Sequence, residues 1–150
     1  MFAPRPSIVV KELARVLKPG GILAFSTWPK ELFMGKFFKL IESFSQPLPP
    51  EVASPVLWGD MGVIEDRLID HFNEIEFRRD TMFAPTMSPT HMLKLFEKNA
   101  GPLANLVKAL ADDPTKLSNL RNAALVLIEK FFSNNFLRQD FLMTRCVKKT

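Results

Sequence analysis

The sequence has no tyrosine, one cysteine and two histidines among its 150 residues. Cys146 alone cannot form an internal disulfide, and no Cys/His cluster has metal-ligand spacing, so no metal site is expected. No apolar run approaches the roughly 20 residues that span a bilayer, which excludes a transmembrane helix. The opening Met-Phe-Ala-Pro-Arg-Pro-Ser lacks the charged-then-apolar build of a secretory leader, so the expected compartment is cytoplasmic. Glycine is sparse: the six present never form Gly-x-Gly-x-x-Gly, a phosphate loop or a Gly-x-Ser-x-Gly elbow. His71 sits among apolar neighbours and His91 in the first turn of a helix, which suits structural or solvent-facing roles. Asp112-Asp113 precedes Pro114 and suits helix capping better than paired acid/base work. No catalytic residue is assigned.

What the chain does have is 14 Phe, two Trp and seven Met in a composition that is 47% apolar and 24% charged. That composition is globular, and the length is that of one domain over residues 1–150. Phe and Met fill space without needing hydrogen-bond partners, so they make either a plain core or a pocket for an apolar or planar substrate. The net charge of +4 does not imply nucleic acid, because Arg78-Arg79 and Lys148-Lys149 are the only adjacent basic pairs.

Periodicity predicts a helix over Ser7–Leu17 with Val9, Leu13, Val16 and Leu17 on its inner face. Lys18-Pro19-Gly20-Gly21 ends it, and Ile22–Trp28 reads as a strand buried on both faces. A second helix, Leu32–Ser45, is apolar over much of its circumference. Four prolines make residues 46–56 an irregular loop. Asp60 caps a helix reaching to about Phe72. Alternation then predicts a strand over Glu74–Phe83, with Ile75, Phe77, Thr81 and Phe83 on one side. Ser88-Pro89 opens a helix that Asn99-Ala100-Gly101-Pro102 closes, a short helix follows from Leu103, and Asp113-Pro114 starts a longer one ended by Ser133-Asn134-Asn135. The last strand, Arg138–Val147, turns Phe141, Met143 and Val147 to one side. The fold class is α/β, with two or three strands against about five helices.

The segment Glu12-Leu13-Ala14-Arg15-Val16-Leu17-Lys18-Pro19-Gly20-Gly21, followed by Ile22–Trp28, resembles the entry to the fifth strand of class I S-adenosylmethionine-dependent methyltransferases. The likeness is strongest to the ubiquinone/menaquinone biosynthesis methyltransferase branch, and Met1–Pro6 is similar to the segment after its fourth strand. The resemblance implies a partial Rossmann-like fold. Its three-stranded mixed sheet would hold strands five, seven and six in that order, with a helical insertion over 88–133. It also implies that the glycine-rich turn and the ribose-binding acid lie upstream of Met1. The chain would then supply the acceptor-side half, with no cofactor-binding residue of its own, and methyl transfer by it alone is not expected. S-adenosylmethionine is the implied cofactor, and a small apolar or aromatic methyl acceptor the implied substrate. In open α/β sheets, ligands sit at the carboxyl ends of the strands. Thr27 and Trp28 are therefore the expected pocket residues, with Phe33, Phe37 and Trp58 as an aromatic wall or, for the two Phe, as ordinary core. The alternative is a non-catalytic, truncated module acting in homo- or hetero-oligomers. Without the family's fourth strand, one edge of Ile22–Trp28 is uncovered, which predicts a homodimer.

Overall fold

The computed structural model describes residues 2–150. Its elements are α1 (Pro6–Val16), β1 (Ile22–Thr27), α2 (Phe33–Phe44), a 3-10 turn (Pro55–Gly59), α3 (Met61–Leu68), β2 (Phe72–Pro85), α4 (Pro89–Asn99), α5 (Gly101–Ala109), α6 (Pro114–Glu129), β3 (Phe132–Ser133) and β4 (Phe136–Lys148). One sheet runs in the order β1-β4-β2, with β3 paired to β4. β1 and β4 are antiparallel, Ile22 opposite Val147 and Thr27 opposite Leu142. The order of the three main strands is the expected one, but the three-stranded mixed sheet is corrected to four strands whose β1–β4 and β3–β4 pairings are antiparallel. The extra strand comes from Asn134 and Asn135, which do more than stop a helix. Both adopt positive φ, 49° and 61°, as a tight hairpin turn requires, and fold Phe132-Ser133 back onto β4. No described helix is long and apolar enough to cross a membrane.

The chain forms two compact units. The first comprises residues 2–30, 48–80 and 140–150. Its core gathers Val10 and Ala14 of α1, Trp58, Ile64 and Leu68 of α3, Phe72, and Leu142 and Cys146 of β4, with Leu13, Leu17, Leu23, Phe25, Ile75 and Phe77 packed against them. The expected α1 face is therefore rotated. Val10, Leu13, Ala14 and Leu17 point inward, while Val16 is 63% exposed. Helical spacing alone allows either stripe, and the small Ala14 suits the inner one.

β1 is not buried on both faces as expected. The core takes the face carrying Leu23 and Phe25, and Ile22, Ala24 and Ser26 stay exposed. β4 is flipped from the expected phase: Leu142, Thr144 and Cys146 are buried and Met143 is exposed. Pairing fixes this phase, because Thr144 lies opposite Phe25 and Cys146 opposite Leu23, and a one-residue slip would invert every side chain. The helix expected to reach Phe72 ends at Leu68, and Phe72 instead opens β2, fully buried. The loop expected over 46–56 ends early, because Pro55 starts the 3-10 turn and Ser54 Oγ accepts from Val56 N at 3.3 Å. Lys148 and Lys149, one of the two basic pairs, reach the carbonyls of Leu17 and Ile69 at 2.6 Å each. They cap the ends of α1 and α3.

The second unit comprises residues 31–47 and 81–139. Here α2, α4, α5 and α6 enclose Phe33, Phe37, Met92, Leu93, Leu103, Leu106, Leu120, Ala124 and Ile128. Ser88 caps α4 and Asp113 caps α6, each followed by Pro at the helix start. Gly101-Pro102, expected to close α4, instead opens α5, since proline at a first turn lacks only an N–H that would go unpaired anyway. The expected insertion over 88–133 supplies α4 to α6, and α2 joins them in this unit. Phe83, expected inward on β2, is 60% exposed and meets Phe136 edge-on at 6.3 Å.

Candidate functional site

In the first unit the carboxyl end of β1 gathers several polar groups that the protein leaves without partners. Thr27 is 3% exposed, Trp58 4% and Thr144 fully buried, yet Thr27 Oγ1, Trp58 Nε1 and Thr144 Oγ1 have no hydrogen-bond partner among the described residues. Buried polar groups are nearly always paired, so each of these atoms calls for an account, whether strain, a water or a ligand. The β1–β4 register puts Thr27 and Thr144 on one face of the sheet, the face that also carries Phe25. Phe25 meets Trp58 edge-on at 5.8 Å, and the Arg67 guanidinium lies 4.7 Å from the Trp58 ring centre. Burial lowers the Arg67 pKa from its ordinary value, and the indole face offsets part of the lost hydration.

The 3-10 turn places Trp58. Gly59 passes so close to Trp28 that a side chain on it would land on the Trp28 carbonyl oxygen, so only glycine lets this turn approach. Lys30 and Asp60 close the same corner with an ion pair. Asp60 Oδ1 also accepts from Gly62 N at 3.0 Å and Val63 N at 3.3 Å as N-cap of α3. The Lys30 hydrogen bond and these amides hold its carboxyl below the usual value of 3.8.

Of the residues expected to line a pocket, Thr27, Trp28 and Trp58 lie in the first unit and Phe33 and Phe37 in the second. Phe33 and Phe37 stack at 5.6 Å, and Phe96 and Phe131 complete a buried aromatic cluster around them. Thr144, Arg67 and Gly59 were not marked by the sequence. Thr144 is hidden in an apolar strand, and Gly59 is one of six glycines with no motif. Chemically, the end of β1 offers hydroxyl and indole groups beside an aromatic surface, with the Arg67 guanidinium on the indole and the Lys30–Asp60 ion pair at the same corner. No cluster of three or more His, Cys, Asp or Glu able to hold a metal exists among the described residues. Such an arrangement orients and desolvates a ligand rather than moving protons. Elsewhere in this unit an open pocket of about 390 Å³ lies against α1, lined by Ile8, Val9, Glu12, Leu13 and Val16.

No family model matches the chain. It is 27% identical over 144 residues to the uncharacterized protein Rv1403c of Mycobacterium tuberculosis, covering 95% of this chain and 53% of that protein. The uncharacterized protein Mb1438c of Mycobacterium bovis gives the same values. Similarity to a second Mycobacterium tuberculosis protein, the uncharacterized Rv1405c, is 21% over 150 residues, covering 99% of this chain and 55% of that protein. The chain spans about half the length of the curated relatives it matches.

Proposed function

We propose that this chain is the acceptor-side half of a class I S-adenosylmethionine-dependent methyltransferase domain with Rossmann-like topology, acting in the cytoplasm on a small apolar or aromatic acceptor. The observation that carries the reading is the strand order β1-β4-β2, in which the strand latest in the chain lies between the other two and runs antiparallel to β1. Support also comes from the helix–Pro-Gly-Gly–strand entry, the helices between β2 and β4, and relatives about twice as long. Methyl transfer asks for in-line alignment and exclusion of water more than for acid/base groups. The neutral, buried hydroxyls of Thr27 and Thr144 and the Trp58 surface suit that demand.

The residues present do not fit the methyl donor. The one glycine pair, Gly20-Gly21, has its backbone committed: Gly20 N donates to Lys148 O at 3.0 Å, Gly21 N to Lys18 O at 2.8 Å, and Gly21 O accepts from Lys148 N at 2.8 Å. No amide of that turn is left to approach a donor. Calorimetric titration of S-adenosylhomocysteine tests both parts of the reading. This chain is expected to show no saturable binding tighter than about millimolar, and full-length Rv1403c binding at about micromolar. Micromolar binding by the bare chain overturns the half-domain reading, and failure of Rv1403c to bind overturns the family reading.

A second reading, self-association into a homodimer, is favoured by α1 and β1. Ile8, Val16 and Ile22 are 46%, 63% and 55% exposed, and β1 ends the sheet order with no second neighbour among the described residues.

A further inference from the structure

At the start of α4, Thr86 is 7% exposed, and its hydroxyl lies 2.9 Å from His91 Nδ1. Met87 N also points at His91 Nδ1, at 3.4 Å. A backbone N–H can only donate, so Nδ1 accepts from Met87, and the single proton of the Thr86 hydroxyl is shared between Nδ1 at 2.9 Å and Ser88 O at 3.5 Å. The ring proton then sits on Nε2, which has no hydrogen-bond partner among the described residues. Backbone geometry locks this corner: Thr86 N donates to Asn135 O at 2.8 Å, and Ser88 Oγ accepts from His91 N at 3.1 Å. His91 lines a pocket of about 390 Å³ whose other walls are Pro85, Thr86, Met87, Asn135 and Phe136. The rim is apolar and wet. Met87 is 74% exposed and Phe136 43%, with Phe83 edge-on against Phe136. The pocket is open to solvent, so its apolar walls and one imidazole donor cover one side of a small ligand rather than enclosing it.

We infer that this pocket binds a small planar apolar molecule bearing a carbonyl oxygen, held between Met87 and Phe136 with the oxygen accepting from His91 Nε2–H. The site uses none of the residues at the end of β1 and stands independently of the methyltransferase reading. With Nδ1 accepting from the Met87 amide, the preference is one-sided: a ligand that only accepts hydrogen bonds is favoured over one that presents a donor to the ring.

The test is a titration of the chain labelled with ¹³C at its methionine methyls, using 1-tetralone against tetralin, which has the same fused rings without the carbonyl. Tetralone is expected to shift the Met87 methyl saturably, and tetralin to bind about fivefold more weakly or less, the size of one neutral hydrogen bond. His91→Phe should erase the difference between the two probes while the other methionine signals stay in place. His91→Gln, which returns an N–H near the Nε2 position, should restore part of it. No shift at Met87 with tetralone, or equal affinities for the two probes in the unsubstituted chain, overturns the proposal. The latter comparison needs no variant, so a misfolded His91→Phe protein leaves it decisive.

Discussion

Thr144 lies fully buried opposite Phe25, and its hydroxyl has no partner among the described residues. An unmet hydroxyl in an apolar setting costs its desolvation, so Thr144→Val, nearly identical in shape, should stabilise the chain by about 1 kcal/mol. The check is a urea midpoint that rises with an unchanged slope. A lower midpoint instead shows that the hydroxyl has a partner in solution. Gly59 and Gly62 make a contrasting pair. Gly59→Ala drives a methyl into the Trp28 carbonyl and also to 2.9 Å from Lys30 N, neither of which can yield, and should cost about 3 kcal/mol. Gly62→Ala meets only Asp60 Oδ1 at 3.5 Å, in the first turn of α3, and should gain roughly 0.5 kcal/mol from helix propensity. Thermal unfolding of the two variants side by side separates these outcomes. Cys146 is fully buried, and burial pushes its thiol from 9.0 up to about 11, with Arg145 pulling weakly the other way. The folded pKa lies above the unfolded one, so this stabilisation is complete below pH 9 and is lost as the pH rises towards about 11. Cys146 should therefore resist thiol reagents at pH 8 until urea unfolds the chain. The urea midpoint should also fall between pH 9 and 11 in the unsubstituted chain, and by less in Cys146→Ala.

Among the elements, long patterns were legible and phases were not. α2 and α4 stand within a residue or two of where periodicity places them, and α6 starts where expected because Asp113-Pro114, like Ser88-Pro89 for α4, combines cap and proline. α6 nevertheless stops at Glu129, short of the expected Ser133, because Phe132-Ser133 pair with β4. The strand Ile22–Trp28 was legible as a strand, yet its burial was not: a run of apolar residues does not record whether one sheet face or both will be covered. β4 was misread in phase because Phe141 and Met143 outrank Thr144 and Cys146 in hydropathy, whereas the pairing with β1 decides which row turns inward. At the end of β1, Thr27 and Trp58 could be marked from the sequence, but the closeness of Gly59 to Trp28 arises only when the 3-10 turn meets the strand end. The edge strand β1 and the outer side of α1 carry the dimer prediction. Sedimentation velocity at low micromolar concentration should show a dimer, and Val16→Lys with Ile22→Lys a monomer, since charges on an edge discourage pairing. A monomer without these changes, or a dimer that survives them, sinks the idea.

For the molecule as a whole, the order of chain and the order of sheet differ. β4 lies between β1 and β2 but follows both, separated from β2 by three helices and the β3 hairpin. On the ribosome, β1 and β2 therefore emerge long before the strand that joins them. The contacts of α4, α5 and α6 are closer together in sequence and can form while synthesis continues. Translation thus exposes the two waiting strands to other nascent chains for the time needed to make everything between residues 86 and 135. The first unit, which holds β1 and the end of β4, can close only after everything between them has been made.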